Sequence, residues 1–199
     1  MRTLGITGGI GSGKSAAVAM LDALPGVRTL RADDLAKQLM HEDAALRADL
    51  VAEFGLQTYD DEGRLDRAWL ASQVFGNPER LAWLNALVHP RVRNGFLAAK
   101  AQAEADGVRL LVYEAALIYE TNAERHLDAV AVVDAPVETR IARVMKRDDV
   151  SRAQVEARMQ HQLDPATLRE RADHVLDNSG DLAYLRTQVK ALHGQLGAG

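Results

Sequence analysis

The sequence contains no cysteine, and this absence excludes disulfide bonds and thiolate metal sites. It also lacks an apolar run of membrane length, and its first residues lack the apolar segment of a signal peptide. Positive charge is not in excess, since 24 Lys and Arg face 28 Asp and Glu, which argues against a broad nucleic-acid surface. We therefore expect a cytoplasmic protein, monomeric or weakly oligomeric, whose partners are small molecules rather than nucleic acid or membrane.

Aromatic residues are also scarce, at 5% of the chain, so the core must consist mainly of aliphatic side chains. Such a composition is usual where helices pack on a parallel sheet. A chain of 199 residues is long enough for one sizeable core with additions. We therefore expect a single domain.

The segment "GITGGIGSGKSAAVAML", residues 5–21, carries the clearest motif. Gly8, Gly13, Lys14 and Ser15 fit the pattern G-x-x-x-x-G-K-[ST], between a predicted strand over 2–7 and a predicted helix from residue 14 to 24. Glycines allow the backbone N–H groups to surround a phosphate, and the start of the helix favours negative charge. Lys14 would contact the β and γ phosphates, and the Ser15 hydroxyl would bind Mg²⁺. The predicted ATP-binding residues of this phosphate loop are Gly8, Gly9, Ile10, Gly11, Ser12, Gly13, Lys14, Ser15 and Ala16.

Further strand-like runs alternate with helical segments along the chain. This alternation predicts an α/β fold with a central parallel sheet of about five strands. With the phosphate loop and the helical segments described below, we expect a three-layer fold of the P-loop nucleotide-kinase type. The predicted strands after the first span residues 27–31, 108–114, 128–135 and 174–178.

Between the second and third strands lie about 75 residues of helical periodicity, more than one crossover needs. We expect a helix to begin at Pro78, another at Pro90, and a third after Asp164, and we expect Ser151 and Gln154 to form a capping box. The predicted domain, 1–199, then has a core (about 1–33, 107–138 and 170–199), a helical acceptor-binding insert (about 34–106) and a lid (about 139–169).

The phosphate loop alone leaves open a kinase, a GTPase, a motor and a nucleotide-binding protein without catalysis. The chain has no N-K-x-D tetrapeptide for reading guanine. A helical insert after the second strand and a basic segment after the fourth are typical of a nucleoside or nucleotide kinase, in which such parts close over the substrates.

Six segments in order resemble the dephospho-coenzyme A kinase family: "GITGGIGSGKS", "RADDLAK", "ASQVFGNPERLAWLNALVHPRV", "YEAALIYE", "MKRDDVSRAQVEARMQHQ" and "ADHVLDNSGD". The resemblance spans nearly the whole chain. It implies transfer of the ATP γ-phosphate to the ribose 3′-hydroxyl of dephospho-coenzyme A, with Mg²⁺. The alternatives are a nucleoside monophosphate kinase, although adenylate kinases usually carry a proline where this loop has Gly9-Ile10-Gly11, and a nucleotide-dependent binding protein.

By this resemblance, Asp33, His89 and Glu120 bind the acceptor, and Asp33 orients the 3′-hydroxyl. Each residue also has a structural interpretation: Asp33 or Asp34 as a helix cap, His89 as part of a helix start, and Glu120 as the cap of a turn. Glu114 ends the third strand and is a second candidate ligand for Mg²⁺.

The resemblance also assigns Arg143 and Arg147 to a catalytic lid and Asn178 to the turn beside adenine. Arg140 shares a helix face with these two arginines, although such a stripe is also typical of a solvated surface helix. The chain departs from the family pattern at Arg31, where a second acid is common, at Glu114, where many members have Asp, and at Leu168, where a basic residue is common. Arg169 is a candidate substitute for that basic residue.

Overall fold

A computed structural model describes residues 1–160 and 162–197, which form five strands and nine α-helices. His161, within the predicted lid, and residues 198 and 199 lie outside the described residues. The strands are β1 (Arg2–Thr7), β2 (Val27–Arg31), β3 (Leu110–Glu114), β4 (Ala129–Asp134) and β5 (His174–Asp177). The helices are α1 (Lys14–Asp22), α2 (Ala32–Glu42), α3 (Ala44–Phe54), α4 (Arg67–Val74), α5 (Pro78–Ala105), α6 (Val137–Asp148), α7 (Arg152–Met159), α8 (Pro165–Arg171) and α9 (Leu182–Gly197).

The strands form one parallel sheet in the order β2-β3-β1-β4-β5. This arrangement confirms the predicted α/β fold with a central parallel sheet. Register places Arg31 beside Glu114 at the ends of β2 and β3, and Asp134 beside Asp177 at the ends of β4 and β5. Because the carboxyl ends of parallel strands share one edge, charged residues collect at that edge of the sheet.

Side chains of alternate strand residues pack into layers on opposite faces of the sheet, as strand geometry requires. On one face, Leu4 and Ile6 of β1 pack with α1 and α9. On the other face, Val130 and Val132 of β4 pack with Leu168 of α8. The three-layer arrangement is therefore as predicted.

The chain divides into two compact units, residues 1–31 with 100–199 and residues 32–99. The first unit contains the sheet and the phosphate loop. The second is helical, and its core centres on Leu46, Leu50 and Phe54, with the Phe54 ring meeting Trp83 edge-on at 5.5 Å between centroids. The predicted limits of the insert and the lid stay predictions. No helix among the described residues is long and apolar enough to cross a membrane.

The prediction that a helix begins at Pro90 is wrong, because α5 runs through this residue without a break. A proline within a helix removes one backbone hydrogen bond and costs about 3 kcal/mol. Val88 and Val92, on either side of Pro90, are buried in the core of the helical unit. Burial of this apolar stripe offsets the cost of the proline.

The predicted helix caps are mostly confirmed. Ser151 and Gln154 form the capping box of α7, and Asp164 accepts a hydrogen bond from the Thr167 N–H at the start of α8. Asp33 and Asp34, by contrast, lie in the first turn of α2, which begins at Ala32, and so neither residue precedes the helix as a cap.

Truncation of a buried and of an exposed leucine in the helical unit should lower the free energy of unfolding by different amounts. Leu50→Ala should lower the free energy of unfolding by about 2–5 kcal/mol, because Leu50 is fully buried. Leu56→Ala, at a residue 79% exposed, should change it by less than about 0.5 kcal/mol. Urea unfolding followed by tryptophan fluorescence measures both, since Trp69 and Trp83 lie in this unit. Equal effects of the two variants would contradict the assigned core.

Candidate active site

The phosphate loop connects β1 to α1 and depends on glycine at two positions where a side chain would not fit. Gly8 has φ 143°, and a Cβ there would overlap the Val133 carbonyl oxygen. Gly13, which precedes α1, has φ 100° in the left-handed region, and a Cβ there would overlap the Asn178 amide. Both positions therefore require glycine for conformation and for space.

Lys14 folds back over the loop that precedes it. Its Nζ donates hydrogen bonds to the carbonyl oxygens of Gly8, at 2.7 Å, and Gly9, at 3.3 Å. The ammonium group is thus held directly above the loop backbone. A cation in this position, next to a helix N-terminus, suits the binding of a phosphate group.

Ser15, in the first turn of α1, contacts the end of a neighbouring strand. Its hydroxyl donates a hydrogen bond to Glu114 Oε1 at 3.0 Å. The other oxygen of the same carboxylate, Oε2, lies 3.2 Å from the Nε of Arg31. The two candidate metal ligands are therefore adjacent, and Arg31 adds a positive charge to them.

Ile10, at the middle of the loop, is attached to the segment after β4 by three contacts. Its N–H donates to Gln162 Oε1 at 2.8 Å, and its carbonyl accepts from Arg140 Nε at 3.0 Å. Its side chain packs against an apolar cluster of α6 and α7. The phosphate loop is therefore fixed on the segment that the sequence predicts as the lid. The buried members of this cluster are Ile141, Val144 and Val155.

Arg140 is buried, with only 3% of its surface exposed, and its guanidinium lies against the loop backbone. A Cβ on Gly9 would overlap this guanidinium. Burial lowers the pKa of Arg140, while the charge of Asp134 raises it, and the group stays protonated because arginine does not lose its proton in proteins. The i, i+3, i+7 spacing of the arginines placed Arg140 on the correct helix face but did not indicate that it is buried.

Arg143 and Arg147, the predicted lid residues, have different surroundings. Arg143 donates to the Asn178 carbonyl at 3.2 Å and to the Ser12 carbonyl at 3.5 Å. Arg147, whose side chain is 63% exposed, pairs with Asp148 at 2.7 Å. Hydrogen bonds from Arg147, with a further contribution from Arg158, lower the pKa of Asp148 to about 2. The structure therefore brings Arg143, and not Arg147, into contact with the loop.

Asn178 follows β5, and its side chain is directed at the phosphate loop. Its Nδ2 donates to the Ser12 carbonyl at 2.7 Å, and the residue is 3% exposed. Its Oδ1 is buried and accepts no hydrogen bond from the described residues. An unsatisfied buried acceptor of this kind is a candidate contact for a ligand donor.

Three other residues named from the family pattern have structural contacts. The Glu120 carboxylate accepts from the Leu163 N–H at 3.1 Å and so holds the chain beside Gln162. Leu168 is buried in the apolar layer on the sheet. Arg169 forms an ion pair with Asp134 at 2.8 Å. The basic residue common in the family is thus replaced at position 168 by a core residue.

Asp33 and His89 belong to the helical unit, residues 32–99. Asp33 is exposed, whereas its neighbour Asp34 pairs with Lys37 at 2.8 Å. Partial desolvation lowers the pKa of His89 although the residue surface is exposed, so its imidazole is mainly neutral at pH 7. A neutral imidazole offers one donor and one acceptor to a ligand.

Sequence reasoning gave no role to Gln162, and it recorded Arg31 only as a departure from the family pattern. Gln162 reaches Ile10 across 152 positions of the chain, and no local pattern indicates a contact of that range. The pairing of Arg31 with Glu114 could have been predicted, because residues that end adjacent parallel strands lie side by side.

A phosphate loop between β1 and α1, with a basic helix after β4 that contacts it, defines a P-loop kinase. A family model described as dephospho-CoA kinase matches residues 2–184, and the chain belongs to this family of ATP-dependent kinases. The dephospho-CoA kinase of Salinibacter ruber is 51% identical over 97% of this chain and 96% of its own.

Two solved structures are similar to the protein over nearly all of both chains. One, from Thermus thermophilus, is 38% identical with a TM-score of 0.80 and covers 98% of this chain and 97% of its own. The dephospho-CoA kinase from Campylobacter jejuni is 26% identical with a TM-score of 0.75, covering 100% and 99%. These similarities extend over the sheet, the phosphate loop and the helical segments alike.

The burial of Arg140 predicts that it stabilises the site. Arg140→Met should lower the free energy of unfolding by about 1–3 kcal/mol and weaken ATP binding, because the partly buried Ile10 carbonyl loses its donor. Arg147→Met, on the same helix but exposed, should change stability by less than about 0.5 kcal/mol. Urea unfolding followed by far-UV circular dichroism and calorimetric titration with ATP measure the two effects. Full stability of Arg140→Met would show that the guanidinium does not support the loop.

Proposed function

We propose that the protein transfers the γ-phosphate of ATP to the ribose 3′-hydroxyl of dephospho-coenzyme A, giving coenzyme A and ADP. Family membership over nearly the full chain supports this reaction. The single structural observation that carries it is the phosphate loop, where Lys14 donates to the Gly8 carbonyl and Ser15 donates to Glu114 at the end of β3. The two alternatives that the sequence left open, a nucleoside monophosphate kinase and a nucleotide-binding protein without catalysis, are outcomes of the acceptor comparison below.

The residues at the loop fit a magnesium ion. Mg²⁺ prefers oxygen ligands and is usually bound by one or two protein groups together with substrate phosphates. The Ser15 hydroxyl and the Glu114 carboxylate, 3.0 Å apart, are such ligands. No cluster of three acidic or histidine residues suited to a metal occurs among the described residues, so the phosphates would supply the remaining ligands. The bound ion would neutralise charge on the phosphate oxygens.

Phosphoryl transfer needs positioning and charge neutralisation more than covalent participation by the protein. We assign the first task to the loop backbone, residues 8–16, which would hold the β and γ phosphates. We assign the second task to Lys14 and Arg143, whose contacts with loop carbonyls place both cations at the loop. Arg147, whose side chain is exposed, would join them if its pair with Asp148 opened around the nucleotide.

For the acceptor we propose that Asp33 aligns the 3′-hydroxyl and accepts its proton. The exposed carboxylate of Asp33 is available for this, whereas Asp34 is engaged by Lys37. His89 and Glu120 would bind other parts of the acceptor, His89 as a neutral hydrogen-bonding group. Asn178 would contact the nucleotide through its unsatisfied Oδ1. The cytoplasmic location and the monomeric or weakly oligomeric state remain predictions.

The proposed substrate predicts the outcome of an acceptor comparison. Release of ADP from ATP should be stimulated far more by dephospho-coenzyme A than by AMP, CMP or buffer, and mass spectrometry should detect coenzyme A. Lys14→Ala serves as the control for contaminating activity, because removal of a charge that acts on the transferring phosphate should lower kcat by orders of magnitude. Equal or faster reaction with AMP or CMP would make the monophosphate-kinase alternative correct. ADP release that no acceptor stimulates would favour the binding protein.

The role of Asp33 predicts a contrast between two adjacent carboxylates. Asp33→Asn should lower kcat by about 10²–10⁴ with little change in KM for ATP, because a positioned acid-base group is lost. Asp34→Asn, which removes the carboxylate that pairs with Lys37 at the surface, should leave kcat near that of the original protein. Steady-state kinetics at saturating dephospho-coenzyme A measures both. The reverse pattern would show that the acidic residue is misassigned.

A further inference from the structure

The candidate metal site contains an arginine that a metal site does not need. Arg31 ends β2 and Glu114 ends β3, and the two residues are direct neighbours in the parallel ladder. The Arg31 side chain is 44% exposed, and that of Glu114 is 11% exposed. The carboxylate that would attract a divalent cation thus already has a cation beside it.

The two oxygens of this carboxylate have different neighbours. Oε1 accepts the Ser15 hydroxyl hydrogen at 3.0 Å, while Oε2 is buried and lies 3.2 Å from Arg31 Nε. Oε2 accepts no regular hydrogen bond from the described residues, so its interaction with Arg31 is mainly electrostatic. Arg31 therefore fixes which oxygen faces Ser15 and cancels the charge of the carboxylate.

Lys14 adds a second positive charge to the same loop, since its ammonium group binds the Gly8 and Gly9 carbonyls. Two cations and one carboxylate give a local charge that disfavours a bare divalent ion. A nucleotide triphosphate reverses this balance, because its phosphates carry several negative charges and supply oxygen ligands.

We propose that Arg31 is a positioning residue that prevents the nucleotide-free protein from binding a divalent metal ion, so that the ion enters together with the nucleotide phosphates. This inference rests on the proposed metal role of Ser15 and Glu114. A purely structural role for the Arg31–Glu114 pair would affect stability and leave metal affinity unchanged. Metal binding in the absence of acceptor therefore separates the two roles.

The test is a titration of the full chain with Mn²⁺, whose electron paramagnetic resonance signal reports the free ion, with and without ADP. Because ADP itself binds Mn²⁺, a protein-free titration of Mn²⁺ with ADP is subtracted to obtain the ion that the protein binds. The original protein should bind Mn²⁺ at least about tenfold more tightly when ADP is present. Arg31→Gln should bind Mn²⁺ about tenfold more tightly than the original protein when ADP is absent. Arg31→Lys, which keeps the charge, should behave like the original protein.

Arg28→Gln is the control, because Arg28 lies on the same strand, is about as exposed as Arg31, and pairs with an acid, Asp106, at 2.7 Å. It should leave Mn²⁺ affinity unchanged. The proposal is overturned if Arg31→Gln and Arg28→Gln bind Mn²⁺ equally, or if the original protein binds Mn²⁺ as tightly without ADP as with it. The comparison of the original protein with and without ADP does not depend on the folding of any variant. If Mn²⁺ binding follows these expectations but the protein does not phosphorylate dephospho-coenzyme A, the proposed function is contradicted and the role of Arg31 is not.

Discussion

The phosphate loop depends on side chains that hold its carbonyl groups. Lys14 binds the carbonyls of Gly8 and Gly9, Arg140 binds that of Ile10, and Asn178 binds that of Ser12. In a trans peptide the N–H group points opposite to the carbonyl of the same unit. Side chains that fix these carbonyls therefore also fix the direction of the following N–H groups. These hydrogen bonds restrict the loop, and this restriction lowers the cost of ordering it when an anion binds.

This arrangement joins distant parts of the chain in one site. The donors to the loop carbonyls come from α1, from α6 and from the residue after β5, and Gln162 accepts the Ile10 N–H from the segment before α8. The Glu120 carboxylate holds the neighbouring Leu163 N–H and so restrains the position of Gln162. The loop and the segment after β4 consequently share hydrogen bonds and an apolar cluster, and a displacement of one requires a change in the other.

The sequence predicted those features that depend on local patterns. Apolar runs predicted the strands, and the spacing of Gly8, Gly13 and Lys14 predicted the phosphate loop, because both patterns follow from backbone geometry. The helix through Pro90 was missed because packing of Val88 and Val92 outweighs a local helix breaker. The burial of Arg140 and the contact of Gln162 with Ile10 depend on tertiary structure and leave no local pattern. The roles of Asp33 and His89 rest on family resemblance.

A protein with a formal net charge of −4 must still bind a polyanion, and the edge of the sheet shows how this is achieved. The strands β3 and β4, on either side of β1, both end in a carboxylate. Glu114 is paired with Arg31 at 3.2 Å, and Asp134 is paired with Arg169 at 2.8 Å. With these two acids neutralised, Lys14 and the helix N-terminus determine the local potential at the loop. Pairing of these two acids therefore reduces their repulsion of phosphate at this edge, although the chain as a whole carries a net negative charge.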